Sequence, residues 1–468
     1  MVPPPPDPPE TLDYAGVPRP RPLNRILGPI SVVAVGVGGA IGSGIFAAPG
    51  EVAKTLHSPW AILAVWLLAG TITLLQTLVT AELATRLPRA GGEYQYLREA
   101  YGEFAAFFFG WSFTVFIVGG GAGTIAALFG DFAAELLGWR GQWASPLLGS
   151  AAIFSVAAVN ASGLKTGAVT QNILTTLKAL ALLSIAAGAC IVAGRITPAQ
   201  PTGAATIGRG FSLEPFLLAL MPAFWSYTGA TDSAKLAEEV KDVRRALPRA
   251  LCGSAVLLTA IYLLYNYALL CALSPGEMAG ARSVPAVVYA GHPMISRLIL
   301  LASALICLGA ISAVLLANVR VTYALARDGL TFAALGRMSR HQAPVAAIAV
   351  GAGLAATFVW YRNFEEILRI YFLASTVLFG MTYLSLIVFR LRDRRMGREF
   401  PANVYQTPLG IPVAVLLIAI EILIGASIVH SDVRNGGFDS LWTLAFLAAM
   451  AILYGVWKKF YRHGPSRS

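Results

Sequence analysis

Charge is scarce in this chain. Of its 468 residues only 13% are Asp, Glu, Lys or Arg, where a soluble domain carries roughly 25%. Hydrophobic residues make up 56% and the mean hydropathy is +0.67, so the chain reads as an integral membrane protein with little room for a separate soluble domain. Histidine and cysteine are also few, with 5 and 4 copies. The histidines fall in loops or near the ends of apolar segments. Cys190, Cys252, Cys271 and Cys307 lie within apolar segments, at spacings that suit neither a metal site nor a disulfide framework. No H-E-x-x-H, G-x-S-x-G or P-loop string occurs, and no histidine falls at mid-membrane, which argues against an intramembrane enzyme. No catalytic residue, cofactor or metal is expected.

Acidic residues, 24 in number, are outnumbered by 35 Lys and Arg, giving a net charge of +11. Topology explains the excess. Twelve spans are predicted, at 29–56, 60–87, 103–137, 143–163, 165–194, 212–240, 245–272, 295–327, 344–361, 365–391, 410–430 and 438–460, each near the ~20 apolar residues that cross a bilayer. With both termini inside, about 25 basic residues face the cytoplasm and about 9 the exterior, as the positive-inside rule requires. The loop Gly138–Gln142 is then external. A nucleic-acid partner would need a basic face on a folded soluble domain, and none is expected. Residues 1–24 form a Pro-rich cytoplasmic tail without the apolar run of a signal peptide. The stretch from Gly91 to Tyr101 is amphipathic and is expected along the cytoplasmic surface.

What the chain has in abundance is glycine, 46 residues, and two apolar segments are interrupted by it. The first reads Gly36-Val37-Gly38-Gly39-Ala40-Ile41-Gly42-Ser43-Gly44-Ile45-Phe46; the second reads Phe224-Trp225-Ser226-Tyr227-Thr228-Gly229-Ala230-Thr231-Asp232. Lipid offers no partners for an opened backbone, so such breaks survive only where they face protein or a water-filled cavity. Paired breaks in corresponding segments of two halves point to the binding site of a secondary transporter. A half-helix starting near Gly44 presents free N–H groups that suit a carboxylate, and half-helices ending near Ile41 and Thr228 present carbonyls that suit an ammonium. Gly119, Gly120, Gly121 and Gly123 read instead as a close-packing face.

At these residues the chain resembles the amino acid–polyamine–organocation family, most of all its L-type amino-acid transporter branch. The likeness runs from about Gly28 to Arg398. It rests on Ile41-Gly42-Ser43-Gly44-Ile45-Phe46, on Ala81-Glu82-Leu83 with Pro88-Arg89-Ala90-Gly91-Gly92-Glu93-Tyr94, and on Asn160, Gly163, Gln171-Asn172 and Lys178. It continues through Tyr227-Thr228-Gly229, Glu238-Glu239-Val240, Leu247-Pro248-Arg249-Ala250 and Arg320-Val321-Thr322-Tyr323-Ala324-Leu325-Ala326-Arg327-Asp328-Gly329. The resemblance implies an all-α, leucine-transporter-like fold. Helices 1–5 and 6–10 would form an inverted repeat over residues 25–392, with helices 11 and 12 and a cytoplasmic tail in 393–468. It implies sodium-independent transport of L-amino acids by alternating access, as exchange, in the plasma or inner membrane; proton symport and exchange of cationic amino acids or polyamines are the alternatives. The substrate carboxylate would meet the backbone of Gly42, Ser43, Gly44 and Ile45. The amine would meet carbonyls near Ala40, Ile41, Trp225, Ser226 and Thr228, with Tyr227, Gly229 and Ala230 completing the site and Trp225 acting as an aromatic gate. Two features depart from the branch. The loop Gly138-Trp139-Arg140-Gly141-Gln142-Trp143 lacks the cysteine that joins animal members to a heavy subunit, so no disulfide-linked partner is expected. Ala230 stands where many members carry tryptophan, which implies a roomier pocket.

Three charges need separate weighing. Lys178 lies roughly 20 Å from either membrane surface, too deep to snorkel. The family places this lysine where sodium-coupled relatives hold their ion, so its ammonium would substitute for sodium and tie helix 1 carbonyls; the plainer alternative is a structural strut. Asp232 follows the second break and is expected to cap the next half-helix with Thr231 or Ser233; aimed inward it would select cationic side chains. With the cap preferred, neutral side chains are favoured. Glu421 lies mid-span outside the repeat, where local pairing or a subunit contact is expected ahead of contact with substrate.

Overall fold

Apolar runs of membrane length fold as helices because only internal hydrogen bonds satisfy their backbone. The computed structural model describes residues 28–460 except 43, 89–90, 163–167, 195–196, 199–212, 341–342, 362 and 401–403. The predicted Pro-rich tail, Ser43, Arg89, Ala90 and Gly163 lie outside the described residues, as do the side chains of Gln171, Asn172, Glu238 and Glu239.

The chain begins with α1 (Pro29–Ala40) and α2 (Gly44–Thr55), which meet at 49°. Then come α3 (Pro59–Arg86), the short α4 (Glu93–Tyr101), α5 (Glu103–Leu137), α6 (Ala144–Ala161) and α7 (Ala168–Ala193). The second half holds α8 (Leu213–Tyr227), a 3-10 helix (Asp232–Glu239) and α9 (Val243–Ala272). After α9 follow two single-turn helices, Pro275–Met278 and Val284–Val288. The chain ends in α10 (Pro293–Arg327), α11 (Val345–Tyr361), α12 (Phe364–Arg395), α13 (Gly410–Arg434) and α14 (Asp439–Phe460). Local chemistry sets several starts. Ser58 accepts from Ala61 N before a Pro59 that needs no donor partner, and Asn363 with Glu366 forms a capping box.

Among the described residues nine helices are long and apolar enough to cross a membrane, and the bent α1–α2 pair makes a tenth. Two of the twelve expected segments are shorter as helices. Residues 344–361 give the 17-residue α11, and 212–240 give the 15-residue α8 followed by a turn and the 3-10 helix.

The helices pack in two groups. In one, α1 lies against α7 and α9, α2 against α8, and α3 against both α8 and α9. In the other, α5, α6, α10 and α11 pack on one another. The glycine stripe of α5 serves that packing: a Cβ on Gly119 would lie 2.7 Å from Leu354 Cβ, and one on Gly123 3.0 Å from Phe358 Cβ. Both α5 and α10 loosen into π-turns, at Phe113–Gly120 and Val314–Asn318, and these segments touch. Nearby, Thr114 and Thr322 share a hydroxyl hydrogen bond of 2.7 Å. Such π-segments recur at functional sites, where the wider turn redirects side chains.

One end of the bundle is tied by charge. Arg390 grips the fully buried Glu82 with two bonds, of 2.9 and 2.6 Å, while Thr407 N donates to the same carboxylate at 2.8 Å. Arg392 donates to the carbonyls of Glu99 and Ala100 at the end of α4. Asp328 receives Tyr94 Oη at 2.6 Å and pairs with Arg98 at 2.8 Å. Burial and the Asp328 carboxylate push the Tyr94 phenol above its ordinary range, so it remains a donor. The amphipathic segment forms the helix α4, anchored to α12 and to Asp328 at the end of α10.

Candidate functional site

The two breaks abut. Gly229 has φ +104°, a left-handed conformation that glycine alone adopts cheaply, and a Cβ there would lie 2.7 Å from the Gly39 carbonyl carbon. The first break therefore presses directly on the second. At this junction Gly39 and Thr228 are exposed, although they sit at the middle of their segments, whereas Ala40, Ile41, Ile45, Ser226, Tyr227, Gly229 and Ala230 are buried. Gly42 is half-buried.

Several backbone groups assigned to substrate already have partners. Tyr262 Oη lies 3.1 Å from Ala40 O and 2.8 Å from Ser226 O, stitching the breaks together with its single proton. The carbonyls of Trp225, Tyr227 and Gly229 accept turn hydrogen bonds from Thr228, Ala230 and Asp232. A carbonyl accepts two bonds, so each keeps one lone pair. Tyr227 Oη donates to Trp66 O at 3.0 Å and its ring joins Trp66 and Tyr262 in an aromatic cluster. Tyr262 was missed by the sequence reading. The available signal was the polar set Tyr262, Tyr265 and Asn266, repeated at helical spacing in an otherwise apolar span.

Trp225 closes one side of the site. A Cβ on Gly44 would lie 2.5 Å from Trp225 Cδ1 and 3.3 Å from Ser226 Oγ, so the indole rests directly on the start of α2. Its ring also meets Tyr371 edge-on, with centroids 5.0 Å apart. A cavity of about 90 Å³ runs from the second break to Glu93 of α4. Thr228, Gly229, Ala230 and Asp232 line it, together with apolar groups such as Phe224, Ile117 and Phe379.

Asp232 does not cap the helix after the break. Neither Asp232 nor Thr231 makes a side-chain cap bond, because the following turn is 3-10 and brings Lys235 alongside. Lys235 Nζ donates to Asp232 Oδ1 at 2.7 Å and to Asn318 Oδ1 at 2.9 Å, and it lies over the Phe113 ring at 5.9 Å. Both π-turns thus supply a neighbour for this ammonium. Glu421 makes no local pair: it lines the cavity wall and forms no ion pair or hydrogen bond among the described residues.

Lys178 reaches across from α7 and donates to Gly38 O at 3.3 Å. In an unbroken helix that carbonyl would receive the N–H four residues on; the break frees it. The lysine and the break are thus one structural unit. No cluster of metal-ligating side chains occurs among the described residues.

Broken apolar helices meeting beside a buried, partly polar cavity define a secondary carrier. The amino acid permease family matches residues 27–456, and the chain belongs to that family, whose members are transporters and not enzymes. It is a multi-pass membrane protein of amino-acid transport within the amino acid–polyamine–organocation superfamily. It is 29% identical to the serine/threonine exchanger SteT of Bacillus subtilis (strain 168), over 93% of this chain and 98% of that protein. It is 28% identical to the human b(0,+)-type amino acid transporter 1, over 93% and 88% of the two chains, and 28% identical to the human Asc-type amino acid transporter 1, over 84% and 76%.

Proposed function

We propose that this chain exchanges L-amino acids across the plasma or inner membrane by sodium-independent alternating access. The observation that carries the reading is the contact between the two breaks, Gly39 against Gly229, beside a cavity lined by Thr228, Gly229 and Ala230 of the second break. The α-ammonium is held by carbonyls near Ala40, Ile41, Trp225, Ser226 and Thr228, and the carboxylate by the backbone of Gly42, Ser43, Gly44 and Ile45. Backbone atoms recognise the group common to all amino acids, and the cavity takes the side chain. Its apolar lining and the neutralisation of Asp232 by Lys235 support neutral side chains. The ammonium of Lys178 on Gly38 O supports transport without sodium. Exchange is favoured by the relative named as an exchanger.

In this reading twelve spans cross the membrane. Residues 25–392 form the inverted repeat, and helices 11 and 12 with the cytoplasmic tail follow in 393–468. The π-turns of α5 and α10, the third helices of the two repeats, support that pairing. No disulfide-linked heavy subunit is required.

Purified protein in liposomes tests the reading. Labelled serine or leucine is expected to enter only when the lumen holds unlabelled amino acid, with the same rate in sodium and choline buffers. Uptake into empty vesicles driven by a proton gradient would replace exchange with symport. The topology makes its own prediction: a cysteine introduced at Ser466 stays unlabelled by impermeant maleimide in intact cells, and one introduced at Gln142 is labelled. Labelling at 466 from outside would invert the arrangement.

A further inference from the structure

The cavity is lined by three carboxylates, Glu93, Asp232 and Glu421, and by one ammonium, Lys235. Lys235 pairs with Asp232 at 2.7 Å, which leaves two carboxylates without an ion pair among the described residues. Their settings differ. Glu93 Oε2 is sealed in protein without a hydrogen-bond partner. Glu421 is only 9% exposed, stands mid-helix in α13, and has no hydrogen bond or ion pair among the described residues; it lines the cavity, as do Gln76 of α3 and Ser375 of α12. An unpaired carboxylate at that depth is expensive: it takes up a proton or turns to a cavity where a partner can answer its charge, and either makes it a candidate functional group. The two described lysines nearest the breaks do not answer that charge. Lys235 is committed to Asp232 and Asn318, and Lys178 to Gly38.

We propose that Glu421 is the counter-charge of a side-chain subsite that takes the ammonium or guanidinium of a cationic L-amino acid. The inference rests on the exchange reading above and extends its substrates from neutral to basic side chains. Thr228 at the break and Glu421 line one cavity, so a single substrate held by its α-group at the break directs its side chain toward α13. Asp232, the residue the sequence offered for this role, is silenced by Lys235; the selecting carboxylate lies on a helix outside the repeat. Neutral substrates occupy the same cavity against its apolar wall and leave Glu421 to water.

Exchange in proteoliposomes, with labelled arginine, lysine, leucine and serine, tests the subsite. Wild-type protein is expected to exchange all four. Glu421→Gln is expected to raise the KM for arginine and lysine about 30-fold or more, the scale of removing one end of a desolvated charge pair, while leucine and serine stay within about twofold. Glu421→Asp retains the basic substrates and shows that charge, not packing, is read. Elution of both variants from a sizing column in detergent reports folding. An equal loss of neutral and basic substrates in both variants would make Glu421 structural. A shifted pH profile for leucine with unchanged preference for arginine would make it a proton site and overturn the proposal. Neutral exchange without any basic uptake by wild-type protein sinks the subsite and leaves the exchanger standing; absence of all amino-acid exchange sinks both.

Discussion

Gly44→Val is expected to abolish amino-acid binding and uptake in protein that still reaches the membrane. The reason is local and steric. The first atom of any side chain at Gly44 would stand 2.5 Å from Trp225 Cδ1 and 3.1 Å from its Nε1. Carbon atoms make contact at about 3.5–4.0 Å, so the indole must leave its seat. A valine adds two methyl groups to that collision. Displacing Trp225 removes the roof of the site and breaks its edge-on contact with Tyr371. Overpacking of this kind costs about 1–3 kcal/mol even in a forgiving core, and here the strain falls on the proposed carboxylate seat. Gly44→Ala is expected to be intermediate, since it adds only the first clashing atom. The measurement is binding of labelled serine or leucine to detergent-purified protein, with counterflow as the second readout. Unchanged kinetics in Gly44→Val would move the site away from the first break.

The same glycine marks how far the sequence alone could be read. It announced a break, and the break is there, but Gly44 itself is the first residue of α2 and has no positive φ. The left-handed angle belongs to Gly229, on the other break. Glycine density locates an interruption without saying which glycine bends and which merely makes room. Lys178 was legible as a charge too deep to go without a partner, and the family resemblance pointed to the carbonyls of helix 1, one of which it meets. The stripe at Gly119 and Gly123 was legible for a similar reason: small residues at helical spacing invite a neighbour.

The partners that tertiary packing chooses were not legible. Asp232 looked like a cap because anions suit a helix start, but the turn that follows is 3-10, and its three-residue repeat sets Lys235 beside it. Nothing local announced that Asn318 would complete the pair, since the two lie on helices remote in sequence. Glu421 was assigned to local pairing or a subunit contact because α13 follows the repeat; only the packing of α13 on α3, α8 and α12 places it on the cavity wall. Tyr262 acts in the same way, reaching from α9 to carbonyls of both breaks. A residue that serves a site across helices carries its type in the sequence and its direction only in the fold.

Lys178→Ala is expected to cut turnover by about 10-fold to 100-fold while leaving the protein folded and substrate binding detectable. The ammonium makes a charge-assisted bond to Gly38 O, in the last turn of α1, which the break leaves open. Such bonds contribute about 1.5–3 kcal/mol, which sets the expected range if the loss falls on one conformation of the cycle. Under the proposed alternating access it falls unevenly if α7 and the first break separate in one state, since a contact present in one state and absent in another shifts the balance between them. The cavity left by the lysine would then hold water, which can bond Gly38 O but cannot anchor it to α7. Sodium supplies the control. Wild-type exchange should be equal in sodium and choline, since an ammonium already occupies the position, and sodium should not restore Lys178→Ala, because the variant gains no anionic ligand. Turnover unchanged in Lys178→Ala would reduce the lysine to a strut, and wild-type uptake lost in choline would overturn its role as the fixed cation of the site.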